Sequence, residues 1–180
     1  IDEGQTLGGR VSLRAARIEL ASAAIDVSGG SGGTVVLDAS QPAPEAPSAP
    51  RPTPSPGNVA LLGATDIGSR GRRGQGGSVT LLGEHLALND TTRIDASGSD
   101  GGGTVLVGGD WQGSGTLPQA TTTTLGTGAR IDASAVERGD GGTVVLWSDA
   151  HRAGTRTEVA GTIVAAAGVG GLGGQVETSG

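Results

Sequence analysis

A parallel β-helix of about six rungs is the fold this sequence predicts, and three observations predict it. A Gly-Gly pair leading into an alternating apolar run occurs six times: "GGRVSL" (8–13), "GGTVVL" (32–37), "GGSVTL" (76–81), "GGTVLV" (102–107), "GGTVVL" (141–146) and "GGQVET" (173–178). Two further apolar phrases precede most copies in a fixed order. Finally, 36 of the 180 residues are Gly and there is no Phe, Tyr, Cys or Met, so any core must be thin, aliphatic and β-branched.

The elements follow from these phrases. The Gly-Gly copies place Val11, Val35, Val79, Val105, Val144 and Val176 at one position of the pattern, with spacings of 24, 44, 26, 39 and 32 residues. The second phrase is "IDVSG" from Ile25, "IGSRG" from Ile67, "IDASG" from Ile94, "IDASA" from Ile131 and "IVAAAG" from Ile163. The third is "RIELA" (17–21), "NVALLG" (58–63), "HLALN" (85–89), "TTTLG" (122–126) and "TEVAG" (157–161). Alternation over four or five residues marks a strand with one face inward. Three such strands in the shorter spacings make one rung, and a rung buries its apolar side only by stacking on the next. The six valines are therefore expected in one inward ladder.

Helices fit poorly, because Gly costs about 1 kcal/mol in a helix interior and the runs lack a 3.6-residue period. A β-sandwich also offers short, regularly spaced strands, but its strands seldom share a sequence, whereas here a three-part phrase recurs in order. The longer spacings mark insertions. "QPAPEAPSAPRPTPSPG" (41–57) holds seven of the eight prolines, which cannot donate ladder hydrogen bonds. "GGDWQGSGTLPQAT" (108–121) is a second insertion and "SDAHRAGTRT" (148–157) a shorter third. All three are expected to leave the stack as loops, where recognition commonly resides. Both ends stop in mid-pattern, so 1–180 reads as a single uncapped segment of a longer solenoid.

Charge narrows the partners. The net charge is −6, and the 12 basic residues are all Arg, which argues against a nucleic-acid groove lined by a basic stripe. The one basic cluster, "RGRR" (70–73), reads as a solvated loop. No 18-residue apolar run is present to form a transmembrane helix.

The phrases "GGTVVLWSD" followed by "AGTI", "GGLGGQVETSG" and "VGGDWQG" resemble the filamentous haemagglutinin-like exoproteins of bacterial two-partner secretion. The resemblance spans 90–178 closely and 1–89 more loosely. It implies a right-handed parallel β-helix serving as the shaft of a large secreted adhesin, and an outer-membrane transporter as the partner in export. It identifies no ligand.

Few residues offer chemistry. Asp26, Asp95 and Asp132 each stand in an Ile-Asp-x-Ser phrase. Asp95 and Asp132 are expected one rung apart, which makes them the candidates for calcium or for a carboxylate pair. The simpler reading is that Asp turns the corner. "SGSDGGGTV" and "RGDGGTV" lack the nine-residue period of calcium-binding Gly-Asp repeats. "RGD" (138–140) falls in a Gly-rich turn. His85 and His151 are far apart in the repeat register, with no Cys to complete a metal site, and no G-x-S-x-G phrase marks a nucleophile. Trp111 and Trp147 are the two large aromatic residues and the candidates for surface recognition, with packing the simpler role for each.

The expectation is a structural shaft segment, without enzymatic activity, cofactor or metal, exported to the bacterial surface and displaying loops or a tip to a surface glycan or protein. A fibre subunit stacking end to end and a polysaccharide-active enzyme on the same fold are the alternatives.

Overall fold

The chain winds through three parallel sheets, one strand of each per coil. A computed structural model describes residues 6–40 and 57–179, so most of the Pro-rich insertion, 41–56, lies outside the described residues. The first coil holds β1 (Arg10–Arg14), β2 (Arg17–Ala21) and β3 (Ala24–Asp26), and the second β4 (Thr34–Asp38), β5 (Asn58–Leu62) and β6 (Asp66–Gly68). The third holds β7 (Ser78–Leu82), β8 (His85–Leu88) and β9 (Arg93–Asp95), and the fourth β10 (Thr104–Val107), β11 (Thr122–Leu125) and β12 (Arg130–Asp132). β13 (Thr143–Trp147), β14 (Arg156–Val159) and β15 (Thr162–Val164) make the fifth, and β16 (Gln175–Ser179) begins the sixth.

Sheet 1 is ordered β1-β4-β7-β10-β13-β16, sheet 2 β14-β11-β8-β5-β2 and sheet 3 β15-β12-β9-β6-β3. Every described pairing between these strands is parallel and joins neighbouring coils, which is the architecture of a parallel β-helix. The repeated phrases fix the register. Val11, Val35, Val79, Val105, Val144 and Val176 are successive partners along sheet 1. Ile25, Ile67, Ile94, Ile131 and Ile163 do the same along sheet 3. In sheet 2 the ladder runs Leu20, Leu61, Leu88, Leu125, Val159. Members from the inner coils are buried in one continuous core, while Val176 at the last coil is 46% exposed. The ladders are inward throughout, and only a neighbouring coil covers them.

The Gly-Gly corner between sheet 3 and sheet 1 has a steric cause that differs for its two residues. Call the coil nearer the C-terminus the upper one. A Cβ on the first glycine of each pair (Gly8, Gly32, Gly76, Gly102, Gly141) would strike a carbonyl of the coil above, at Val27, Ser69, Ala96, Ala133 and Ala165 respectively. A Cβ on the second (Gly33, Gly77, Gly103, Gly142, Gly174) would strike the carbonyl oxygen of the corresponding glycine in the coil below. Those crowded carbonyls are all engaged. The second glycine's N–H donates to the first set across its own corner, as Gly142 does to Ala133 at 2.7 Å. The second set accepts from the first residue of the strand above, as Gly103 does from Thr143 at 2.9 Å. Two facing constraints at adjacent positions leave no room for any side chain, and neither depends on left-handed backbone.

Gly57, read from the sequence as the last residue of the Pro-rich loop, belongs to the stack. Its carbonyl accepts the N–H groups of Glu84 at 2.6 Å and His85 at 3.0 Å. The loop therefore rejoins the coil before β5, one residue earlier than the sequence reading placed it.

Replacing Gly142 with Val should destabilise the fold by at least about 1–3 kcal/mol, the usual cost of overpacking a filled site. Urea unfolding measures it, and a Gly142→Val chain as stable as the parent would show that the lower coil does not press on this corner.

Candidate functional site

Two surfaces gather the residues that the sequence singles out. The first is the outward face of sheet 3. Alternation within β6, β9 and β12 turns the isoleucines inward, so the flanking residues line up outside. One column reads Ala24, Asp66, Arg93, Arg130, Thr162, and the next Asp26, Gly68, Asp95, Asp132, Val164. Asp95 and Asp132 are direct partners in adjacent coils, as expected from their phrases, and Gly68 separates Asp26 from them. Where Gly68 lacks a side chain the face dips into a shallow depression of about 370 Å³.

The carboxylates are committed to the corner and to arginines. Asp95 Oδ1 accepts from the Ser97 N–H at 3.0 Å and the Ser97 hydroxyl at 2.6 Å, and its Oδ2 accepts from Arg70 Nε at 2.6 Å. Asp132 Oδ1 accepts from the Ser134 N–H at 3.0 Å and Oδ2 from Arg130 at 2.8 Å. Asp26 accepts from the Ser28 N–H at 2.9 Å. The serines in turn reach up one coil: Ser28 Oγ accepts from the Arg70 N–H and Ser134 Oγ from the Ala166 N–H. Each Asp-x-Ser is thus an Asx turn, and those at Asp26 and Asp132 also tie their corner to the next through the serine hydroxyl.

Electrostatics agree with this role. Half-burial pushes the Asp95 carboxyl up, but the Ser97 and Arg70 hydrogen bonds outweigh it and hold the group below its ordinary value. The Ser28 hydrogen bonds lower Asp26, and the Arg152 guanidinium beside Glu84 lowers that carboxyl too. A general acid at neutral pH needs the opposite shift. Calcium needs six to eight oxygens, roughly, and the two aspartates have already given theirs to donors. No group of three or more His, Cys, Asp or Glu side chains able to hold a metal occurs among the described residues.

The second surface is the outer face of sheet 1. Gly108–Thr121 leaves β10, makes a 3-10 turn at Trp111–Gly113 capped by Asp110, and crosses back over the sheet. The Gln112 N–H, at φ 53°, donates to Glu177 of the last coil at 2.7 Å. Beneath this loop Trp147 is only 6% exposed, and its indole N–H donates to Gln119 Oε1 at 2.8 Å. Gln119 Nε2 donates to the Gly113 carbonyl at 3.0 Å, and Gly113, at φ +63°, leaves its missing Cβ against the indole. Trp147 is therefore a packing residue rather than a surface-recognition group: its outward position in β13 is roofed by the insertion. Trp111 stays half-buried at the start of that turn. A groove of about 650 Å³ runs between the loop and sheet 1, with Val36, Thr80 and Leu106 on its floor and Arg14, Asp38 and Leu117 at its sides.

Other candidates do not converge. His85 Nδ1 meets Thr122 Oγ1 at 2.8 Å on the outside of sheet 2, while His151 lies in the exposed turn after Asp149. The Arg-Gly-Asp tripeptide lies on the surface with both charged groups engaged by neighbouring coils: Arg138 pairs with Asp100 at 2.9 Å, and Asp140 accepts the Leu172 N–H at 2.7 Å. Within "RGRR", Arg70 pairs with Asp95. Asp38 escaped notice in the sequence, although "DAS" at 38–40 repeats the Asp-x-Ser spacing. It accepts from Ser40 and pairs with Arg14 at 3.2 Å.

With this geometry in hand, the chain can be set beside known proteins. No protein-family profile matches it, and no curated protein does. Among solved structures it is similar to the HMW1 secretion domain from Haemophilus influenzae, with a TM-score of 0.69 and 27% sequence identity. The match covers 97% of this chain and 41% of that one, so the chain spans about two fifths of the matched structure's length.

Trp147→Ala should cost about 3–5 kcal/mol, as truncation of a buried aromatic does. Trp111→Ala should cost far less, and equal losses in urea unfolding would mean that the loop does not roof Trp147. Acid dependence gives a second check. The lowered carboxyls contribute fully above the unfolded-state range and lose that contribution as pH falls through their folded values. Unfolding free energy should be level down to about pH 5 and fall below about pH 4, with a shallower fall in Asp95→Asn. A fall of the same steepness in the variant would remove Asp95 from the account.

Proposed function

We propose that this chain is a shaft segment of a secreted bacterial adhesin, exported through an outer-membrane transporter and without chemistry of its own. One observation supports the reading above the rest: 97% of the chain matches a bacterial secretion domain in fold, with a TM-score of 0.69, while the two share only a modest sequence identity. What the two have in common is the stack itself, and the conspicuous residues of this chain serve that stack. Its aspartates turn corners, its arginines neutralise them, and Trp147 anchors a loop. A uniform rod with engaged side chains suits a spacer that holds a distal tip or its own loops away from the cell. The 108–121 loop is the natural place for any contact with a surface glycan or protein, because it stands outside the repeat and carries half-buried Trp111.

Antibody against this chain, applied to intact cells of the source bacterium and to its culture medium, tests the proposal. Labelling of the surface or medium is expected, with loss of both when the transporter gene is deleted. Retention of the protein inside wild-type cells would refute export. Cleavage of a polysaccharide by the purified chain, lost in Asp95→Asn or Asp132→Asn, would refute the purely mechanical role.

A further inference from the structure

The corner that follows sheet 3 departs from its own rule in the second coil. The first, third and fourth coils turn it with Asp26-x-Ser28, Asp95-x-Ser97 and Asp132-x-Ser134, but the second has Gly68 and Arg70 at those two positions. Sterics do not explain this glycine. Unlike the paired corner glycines, Gly68 faces no carbonyl of another coil. A Cβ there would meet Asp26 Oδ1 at 3.1 Å and the Ser28 hydroxyl at 3.5 Å, side-chain ends that can move aside. Its backbone also lies outside the left-handed region.

The exchange has two consequences for the outer face. It opens the depression of about 370 Å³, which falls at the lower end of ligand-site volumes, about 300–1,000 Å³. It also releases a guanidinium. In the fourth coil Arg130 pairs along its own strand with Asp132 at 2.8 Å. The same pair in the third coil, Arg93 with Asp95, is not made, because Arg70 holds Asp95 Oδ2 at 2.6 Å. The Arg93 side chain makes no hydrogen bond or ion pair with a described residue. Nor does the carboxylate of Asp66, its register partner one coil below. Both line the depression.

A guanidinium only donates and a carboxylate only accepts, so the two suit a ligand able to do both. Adjacent hydroxyls have that property. Charge points the same way. Four aspartates and three arginines line the depression, so an anion brought to Arg93 meets Asp66, and a cation brought to Asp66 meets Arg93. We propose that the depression over Gly68 binds a neutral sugar through two adjacent hydroxyls, one accepting from Arg93 and the other donating to Asp66. The site lies on the flank of the rod, and it stands apart from the export reading because it is measured on the purified chain.

An NMR titration of the isotope-labelled chain with the methyl glycosides of galactose, glucose and mannose tests it. At least one should saturate in the millimolar range, with shifts centred on the Gly68 N–H and the Arg93 Nε–H. Arg93→Gln and Asp66→Asn should each weaken binding by at least about tenfold, as loss of a hydrogen bond to a charged group does. Gly68→Asn gives the second coil the side-chain shape of its neighbours without adding charge, and should abolish the shifts. All three variants should keep the unfolding midpoint within about 2 °C of the parent, because none of these side chains belongs to the core. Glucuronate and glucosamine should bind more weakly than methyl glucoside, since each brings an ion to a face that opposes it. The proposal is overturned if no neutral glycoside moves these two resonances. It is also overturned if affinity is unchanged in both Arg93→Gln and Gly68→Asn, or if a charged sugar binds more tightly than every neutral one.

Discussion

At the corner between sheet 3 and sheet 1 the backbones of successive coils lie so close that the Cβ a glycine lacks would fall on a carbonyl of the next coil. That contact sets the axial spacing at the corner between sheet 3 and sheet 1, and the spacing is what allows hydrogen bonds to form along all three sheets. The inward ladders of Val, Ile and Leu then supply the apolar burial, but they could not do so at a wider separation. Each coil is close to self-similar, so a single steric rule repeated at Gly33, Gly77, Gly103, Gly142 and Gly174 serves the whole stack. The polar interior follows the same economy. Buried Thr65, Thr92 and Ser69 give their hydroxyl protons to carbonyls of their own or adjacent coils, so the core holds polar atoms that are satisfied locally.

The insertions show how such a rod gains individuality without losing register. β10 and β13 remain paired residue for residue although Gly108–Thr121 is interposed between β10 and β11. That loop returns to the outer face of sheet 1 and converts β13 from a strand buried on one side to a strand buried on both. Val145 and Trp147, outward by alternation, end up as inaccessible as Val144 and Leu146. Arg152 in the smaller turn reaches back to Glu84, two coils below, at 2.7 Å. Decoration therefore adds fasteners across coils as well as surface.

Much of this was legible in the sequence, and the reason is periodicity. Position in the phrase determined position in the ladder, so the six valines and the five isoleucines could be placed without coordinates. The neighbouring Asp95 and Asp132 followed from the same logic. What could not be read was whatever depended on contacts off the period. An unbroken apolar run, "TVVLW", does not say that a loop from an earlier coil lies over it, so packing was the simpler reading for Trp147 but its cover, the 108–121 loop, was not legible. Arg70 comes from the corner preceding the strand that carries Asp95, and nothing in its local phrase announces the pair. The opposed facing of the two glycines in each corner is likewise invisible in "GG", because the letter is the same for two different obstacles. Asp38 was within reach, since its spacing to Ser40 matches the other corners; it was missed because it follows sheet 1 rather than sheet 3.

The direction of the hydrogen bonds has a mechanical meaning. In every sheet they run along the axis of the rod, from coil to coil, rather than across it. A load pulling the two ends apart therefore acts to open one coil's set of bonds at a time, beginning at an exposed end, and each coil that lets go pays out its contour length before the next is loaded. Shear across the rod meets all three sheets at once and finds no such weak direction. A body built this way yields stepwise under tension and stays stiff under sideways drag, with the step size set by the residues in each coil and lengthened wherever an insertion is stored.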